Sequence, residues 1–329
     1  MRSGAPAVLE QPQKTDGHGA RPVLVTGAAG LVGAAVCREL ASRGWKIRAL
    51  VRDAIKAAAA LADVPLEFRV GDVRDDAAVR TAMDGTGTVI HLAAIAIERR
   101  GQTYEEVNTA GTRTLLDAAR DNGARRFVFM SQNGASRESP SRFLRSKGVA
   151  EQMVRESGLE WTVFRPSVIF GPEDEFVNVL ARLVRLSPGV LPLPDGGRAR
   201  FQPIAVRDVA RAVGMSLIRS DTISGVYPLG GPAPLSLREM TERVLLAMRA
   251  RRLIASVPRQ ALTPLVAMLQ RVLPNPPVTT SLLDLLGDDN VVPDNALAYF
   301  GIEPTPFAPE ELEYLRRVTV GSALRAMLR

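Results

Sequence analysis

The sequence predicts an α/β protein in which a parallel sheet carries helices on both faces and a smaller mixed region follows. Three observations carry this. Short, fully apolar runs recur at regular spacing, helical segments separate them, and Pro becomes frequent after Gly171-Pro172. A strand that is apolar at every position is buried on both faces, the condition of strands in βαβ units.

The elements follow in order. Val23–Val25 is a strand, Leu31–Arg43 a helix that stops at Gly44, and Ile47–Val51 a second strand. Asp53–Leu61 reads as an Ala-rich helix, Leu66–Val70 as a strand, Asp75–Met83 as a helix and Thr88–His91 as a fourth strand. A long helix is expected over 104–121, then the strand Phe127–Met130, the helix Ser146–Glu156 and the strand Trp161–Arg165. Beyond residue 172, Pro188, Pro192, Pro194 and Pro203 forbid long regular elements. The expected organisation is a tail over 1–20, a nucleotide-binding region over 21–172, and a C-terminal region over 173–329 partly interleaved with it.

Composition narrows the chemistry. The 329 residues are 46% hydrophobic and 23% charged, which suits a globular chain with a large core. With two His and one Cys, no four-ligand zinc site can be assembled and no disulfide can close within the chain. No metal is expected. Aromatic residues at 5% are too few for base-stacking platforms, so no nucleic-acid partner is expected. The tail lacks the apolar run of a signal peptide, and no stretch is long and apolar enough to span a bilayer. A cytoplasmic location follows as the expectation.

The first strand runs into Thr26-Gly27-Ala28-Ala29-Gly30-Leu31-Val32-Gly33 and then a helix. In this spacing the first Gly permits a tight turn, the second lets backbone approach a pyrophosphate, and the third lets helix and strand pack closely. The backbone of Gly27, Ala29, Gly30, Leu31 and Val32 then faces the phosphates at a helix N-terminus. The motif makes the fold class specific: a Rossmann-type doubly wound parallel sheet with a smaller mixed C-terminal region for substrate or docking. The expected ligand is a nicotinamide dinucleotide. The second strand ends in Val51-Arg52-Asp53, with Val51 where an acid would accept from the ribose of NAD. Arg52 can pair with a 2′-phosphate, which favours NADP(H) over NAD(H). The alternatives are that Asp53 reaches the ribose or that Arg52 is solvated.

These residues resemble the short-chain dehydrogenase/reductase superfamily in its extended or atypical branch. Gly71-Asp72-Val73 resembles the segment whose Asp meets the adenine amino group. His91-Leu92-Ala93-Ala94 resembles the fourth-strand motif beside the cofactor, which makes His91 structural. Asn108 falls where the superfamily often keeps an Asn. Arg165-Pro166-Ser167-Val168-Ile169, within the run to Gly171-Pro172, resembles the loop bordering the nicotinamide, and Asp208 resembles a helix cap at a later corner. Phe143-Leu144-Arg145-Ser146-Lys147, Leu186-Ser187-Pro188, Arg200-Phe201-Gln202-Pro203 and Asp289-Asn290-Val291-Val292 are similar to one subfamily. It contains the nucleotide-binding accessory subunit of respiratory complex I (NADH:ubiquinone oxidoreductase) and its bacterial relatives. The resemblance implies a place beside complex I subunits, peripheral on the inner face of the inner membrane, or on the matrix side in a mitochondrion.

The superfamily's reaction uses a Tyr as proton donor and acceptor, a Lys four residues later, and a Ser. Lys147 is present, but Phe143 occupies the Tyr position, and a phenyl ring transfers no proton. The chain has four Lys, none of which has a Tyr four residues before it. The Ser position falls on Ser131 or Gln132, with Gln132 the preferred register. No catalytic residue is therefore assigned, and the expectation leans away from an enzyme. NADP(H) would be a structural or regulatory ligand. The alternative is an active oxidoreductase or epimerase acting on a hydrophobic or quinone-related substrate, with Glu138 or Glu173 replacing the missing acid.

Residues 238–271 hold seven Arg against two Glu, whereas 284–313 hold eight acids and no base. The basic stretch 238–273 has a helical apolar period, with Thr263-Pro264 resembling a helix start. It fits docking on an anionic membrane surface. The alternatives are packing on the sheet domain and pairing with the acidic stretch.

Overall fold

A computed structural model describes residues 21–98 and 101–328. The tail expected over 1–20 lies outside the described residues. In chain order the first half runs β1 (Val23–Thr26), α1 (Leu31–Ser42), β2 (Ile47–Val51), α2 (Ala54–Ala60), β3 (Glu67–Val70), α3 (Asp76–Met83), β4 (Thr88–His91), a π-helical turn over Glu105–Ala110 leading into α4 (Gly111–Asp121), β5 (Arg126–Met130), α5 (Arg142–Arg155) and β6 (Glu160–Pro166). Then come β7 (Ile169–Phe170), α6 (Val177–Leu186), β8 (Val190–Pro194), β9 (Arg200–Phe201), β10 (Ile204–Ala205), α7 (Val206–Ile218), β11 (Gly225–Leu229), β12 (Leu235–Ser236), α8 (Leu237–Ala247), β13 (Leu253–Val257), α9 (Arg259–Val272), α10 (Thr280–Leu285) and α11 (Val320–Leu328).

Seven strands form one sheet in the order β11-β6-β5-β4-β1-β2-β3, and every pairing in it is parallel. Alternation along each strand explains the unbroken apolar runs. Val23 and Val25 enter the core beneath α1, α2 and α7, while Leu24 enters the core beneath α3, α4 and α5. Phe127 and Phe129 point to the second core and Val128 and Met130 to the first. Strand order reverses between β1 and β4, and the carboxyl ends of these strands open the crevice where open α/β sheets bind ligands.

A third core belongs to the C-terminal region. Leu180, Phe201, Leu237, Met240, Val244, Phe307 and Leu315 pack around Phe170, whose ring meets Phe307 edge-on at 5.0 Å. Three two-stranded sheets (β7–β10, β9–β12 and β8–β13) frame it.

The structure corrects several expectations. Helix α5 begins at Arg142, a turn before Ser146, because Ser141 caps it by accepting from the Leu144 N–H. The basic stretch is not one helix. Arg249 takes a positive φ and ends the run after α8, Leu253–Val257 pairs with β8, and α9 follows. That last helix starts at Arg259, not after Thr263. The Asp195 carboxylate accepts from the Arg259 N–H at 3.0 Å and caps it from elsewhere in the chain, leaving Pro264 inside the helix. Asp208 does not cap α7. It sits in the first turn, fully buried, and accepts from the Thr305 N–H at 2.7 Å. The acidic stretch does not pair with the basic one among the described residues. Glu311 pairs with Arg207 and Asp289 accepts from the Arg200 N–H.

Truncating Phe307 to Ala removes a ring that is 1% exposed. The expected loss is about 3–5 kcal/mol, read as a lower urea midpoint in circular dichroism. An unchanged midpoint would show that this core does not support the fold.

Candidate functional site

The β1–α1 turn is shaped by close approach. Gly27 has φ +71°, and a β-carbon there would lie 2.7 Å from the Ala93 nitrogen. A β-carbon on Gly33 would lie 2.1 Å from the Gly27 carbonyl oxygen, so the third glycine sets how closely helix and strand pack. Gly30 is the N-cap of α1 and brings no side chain over the N–H groups of Leu31 and Val32. This leaves an anion-binding helix end beside Ala29. Leu92, Ala93 and Ala94 follow β4 along the same rim, and the Ala93 N–H donates to the Thr26 hydroxyl at 3.3 Å. Beneath it His91 is fully buried between the hydroxyls of Thr26 (2.7 Å) and Thr112 (2.9 Å). Burial, with the nearby Lys147 charge, pushes its pKa down to about 3, so it is neutral and structural.

At the other side of the crevice, Arg52 is exposed at the end of β2 and Asp53 caps α2 through the Lys56 N–H at 3.0 Å. Asp53 is thus engaged locally. Asp72 is held by Arg74, whose guanidinium donates to both carboxylate oxygens at 2.9 and 3.0 Å and also to the Gly101 carbonyl. Burial acts to raise the Asp72 pKa, but the Arg74 hydrogen bonds and the charges of Arg74 and Arg52 outweigh it and hold the carboxyl below its ordinary value. Val73 is buried against Gly111. Arg74 joins the candidate site through Asp72 and was not singled out in the sequence. Its signal was a second Arg two positions after the Asp.

The third cluster forms where β5, α5 and β6 meet. Phe143 is half-buried one helical turn before Lys147, its ring 5.8 Å from that of Tyr104. The Tyr104 hydroxyl donates to the Ala96 carbonyl at 2.8 Å, and burial followed by the Glu98 charge raises its pKa. Lys147 is buried, donates to the Met130 carbonyl at 2.6 Å, and lies 4.5 Å over the Phe129 ring. Burial pushes its pKa down to about 7, against a partial opposing pull from Glu151. Glu151, also missed in the sequence, lies one turn further along the same buried face. It accepts from the Ser131 hydroxyl at 2.7 Å and from Arg165 twice, at 2.7 and 2.9 Å.

The Arg165–Ile169 loop is fastened from several directions. The Pro166 carbonyl accepts from the Asn133 N–H and from the Gln132 side chain. Ser167 donates through its hydroxyl to the Asn290 carbonyl at 2.8 Å, and the Val168 carbonyl accepts from Ile204. Ile169 pairs with Ile204 in the β7–β10 sheet. The Asn290 and Val291 segment also receives the Asn133 side chain. Asn108 holds the loop after β4 by bonds to both backbone groups of Ile95 and donates to Ser146. Glu138 and Glu173 are exposed, and Glu138 is bound to Ser136. The structure thus brings the glycine loop, residues 92–94, Ser131, Lys147 and the 165–169 loop to the carboxyl ends of neighbouring strands, with Arg52 and Asp72 at the far side. Among the described residues no three His, Cys, Asp or Glu side chains gather as metal ligands.

A glycine cradle at the switch point of a doubly wound sheet defines a dinucleotide-binding protein, and the NAD dependent epimerase/dehydratase family matches residues 23–230. The chain belongs to that family, the extended branch of the short-chain dehydrogenases/reductases. It is 30% identical to the mitochondrial NADH dehydrogenase [ubiquinone] 1 alpha subcomplex subunit 9 of Arabidopsis thaliana, over 86% of this chain and 73% of the relative. It is 34% identical to a ceramide reductase of Caulobacter vibrioides over 60% of each chain. Among solved structures it is similar to the Thermus thermophilus UDP-glucose 4-epimerase complex with NAD, with TM-score 0.67, 22% identity, and coverage of 92% of this chain and 99% of that one.

The depressed Lys147 pKa makes stability depend on pH. Between about pH 7 and the ordinary lysine value of 10.5, the unfolded chain binds a proton that the folded chain does not. Stability therefore rises with pH across that window, and this contribution is lost below it. Lys147→Met is expected to flatten the rise. Urea midpoints at neutral and alkaline pH check this, and identical slopes in the two proteins would contradict it.

Proposed function

We propose that the chain is an NADP(H)-binding accessory subunit of respiratory complex I or of related quinone-linked membrane machinery, peripheral on the inner face of the membrane, where the nucleotide is a structural or regulatory ligand. One observation carries the non-catalytic part of the reading. The side chain one turn before Lys147 is Phe143, so the group that exchanges a proton with substrate in this superfamily is a phenyl ring. The long match to a complex I subunit, which extends beyond the family segment, supports the partner. A ligand that binds only the folded chain stabilises it by mass action without turnover.

The residues fit a dinucleotide, since a β-carbon would fill the cradle at Gly27. The glycine loop and the N-terminus of α1 would hold the pyrophosphate. Asp72 would meet the adenine, and Arg52 with Arg74 would meet a 2′-phosphate. Ser131, Lys147 and the Arg165–Ile169 loop would border the nicotinamide. When bound, the nicotinamide supplies hydride-transfer chemistry. Lys147 and Ser131 are turned to the Met130 carbonyl and to Glu151, which suits holding more than proton transfer.

The ceramide reductase relative favours a second reading, an active oxidoreductase on a hydrophobic substrate, with the Pro-rich 186–203 segment shaping the pocket.

Titration by nucleotide fluorescence is expected to show NADPH binding tighter than NADH. Arg52→Ala combined with Arg74→Ala should narrow that preference by roughly tenfold to a hundredfold, the loss of one or two charge-assisted bonds. Equal affinity for both nucleotides in the wild type would remove the NADP(H) assignment. With a short-chain ubiquinone added, the absorbance of NADPH should stay constant. Steady oxidation that depends on an acidic side chain near Phe143 would replace the accessory reading with the second one.

A further inference from the structure

Helix α9 is amphipathic yet meets the rest of the protein along only one edge of its apolar arc. Val266 is its one buried residue. Leu265, Met268 and Val272, spaced to lie within about 60° of arc, are 51%, 55% and 71% exposed. Helix α11 repeats the pattern. Ala323 is buried, while Val320, Leu324 and Leu328, spaced four residues apart on the adjoining face, are exposed. The two helices adjoin at their ends, where Asn275 donates from its backbone to the Met327 carbonyl and from its side chain to the Ala326 carbonyl. Exposed apolar side chains gathered in one region, rather than scattered singly, are the kind of surface that interacts.

The two helices themselves carry Arg and no acid, the nearest acids being Asp195 at the N-terminus of α9 and Asp284 on α10, which packs against it. From Arg243 to Leu283 the chain has six Arg and no acid, and no acid occurs from Tyr314 to Leu328. Arg249, Arg251, Arg259, Arg271 and Arg325 form no ion pair among the described residues, whereas Arg207 and Arg219, nearer the sheet, are both paired. Of the acids of 284–313, Glu311 pairs with Arg207, Glu313 with Arg316, and Asp289 accepts from the Arg200 N–H.

We infer that α9 and α11 together form a docking surface for an anionic lipid bilayer. The exposed Leu, Met and Val side chains would enter the interface, and the unpaired arginines would meet phosphate head groups. This deepens the peripheral-membrane reading above and owes nothing to the nucleotide.

The full chain is tested by flotation with vesicles of phosphatidylcholine alone and of phosphatidylcholine mixed with phosphatidylglycerol. The wild type is expected to float with the mixed vesicles and not with the neutral ones, with binding weakened by salt. A Leu265→Glu/Met268→Glu variant, changed only at exposed positions, should lose at least tenfold in partitioning, and Arg251→Gln/Arg271→Gln should lose less. NADPH affinity of the same preparations should be unaltered, so failure of nucleotide binding and failure of docking are read separately. The inference is overturned if the wild type does not float with anionic vesicles, or if the Glu variant floats equally well. It is also overturned if the wild type sediments as a dimer that the Glu variant splits, or if only detergent-solubilised complex I retains the chain, since the face would then belong to a protein contact.

Discussion

A carboxylate with almost no exposure to water ties the functional end of the sheet together. Burying an unpaired charge costs several kcal/mol, and Glu151 is tolerated because Arg165 grips both its oxygens while Ser131 donates to one of them. The two donors come from the end of β5 and the end of β6, and the carboxylate from α5. Their shared acceptor therefore sets where α5 sits against the sheet, and with it the positions of Phe143 and Lys147. It also fixes the first residue of the loop that continues through Ile169. From there the order spreads outward through Pro166, Asn133 and Ser167 to Asn290, well over a hundred residues later in the chain.

The same arrangement bears on the proposed lack of turnover. Here the Ser131 proton is directed at a buried carboxylate and the Lys147 ammonium at a backbone carbonyl. The aromatic ring at 143 lies beside a Tyr whose hydroxyl is committed to Ala96. Each polar group that survives from the superfamily's pattern thus has a structural partner within the chain.

The sheet was legible because its central strands β1, β4 and β5 hold consecutive apolar residues and most intervening helices have a local cap or stop. Asp53 and Asp75 cap where a reader would place caps, since capping there is local. The glycine loop was legible for the same reason: its geometry is written within eight residues. What escaped was non-local. Asp195 caps α9 from another segment, so the start of that helix could not be seen from Thr263-Pro264. Leu253–Val257 becomes a strand because Val190–Pro194 is there to pair with it, not through its own period. Asp208 looked like a cap from its neighbours, and only the fold brings Thr305 to it. Glu151 and Arg74 escaped because a single charged residue on a helix or loop reads as solvated until its partners are known.

The outermost strand of the sheet has a consequence for synthesis. β6 is flanked by β5 and β11, but β11 lies some sixty residues further along, after α6, α7 and four short strands. A chain leaving the ribosome completes β1 through β6 first, and the apolar strand Trp161–Phe164 then stands with one side unpaired until Leu229 has emerged. An open apolar edge is a template for wrong pairing. The interleaving that gives the folded protein its shared core thus leaves this edge open midway through translation, when the nucleotide loop is already made and the strand that covers the edge is not.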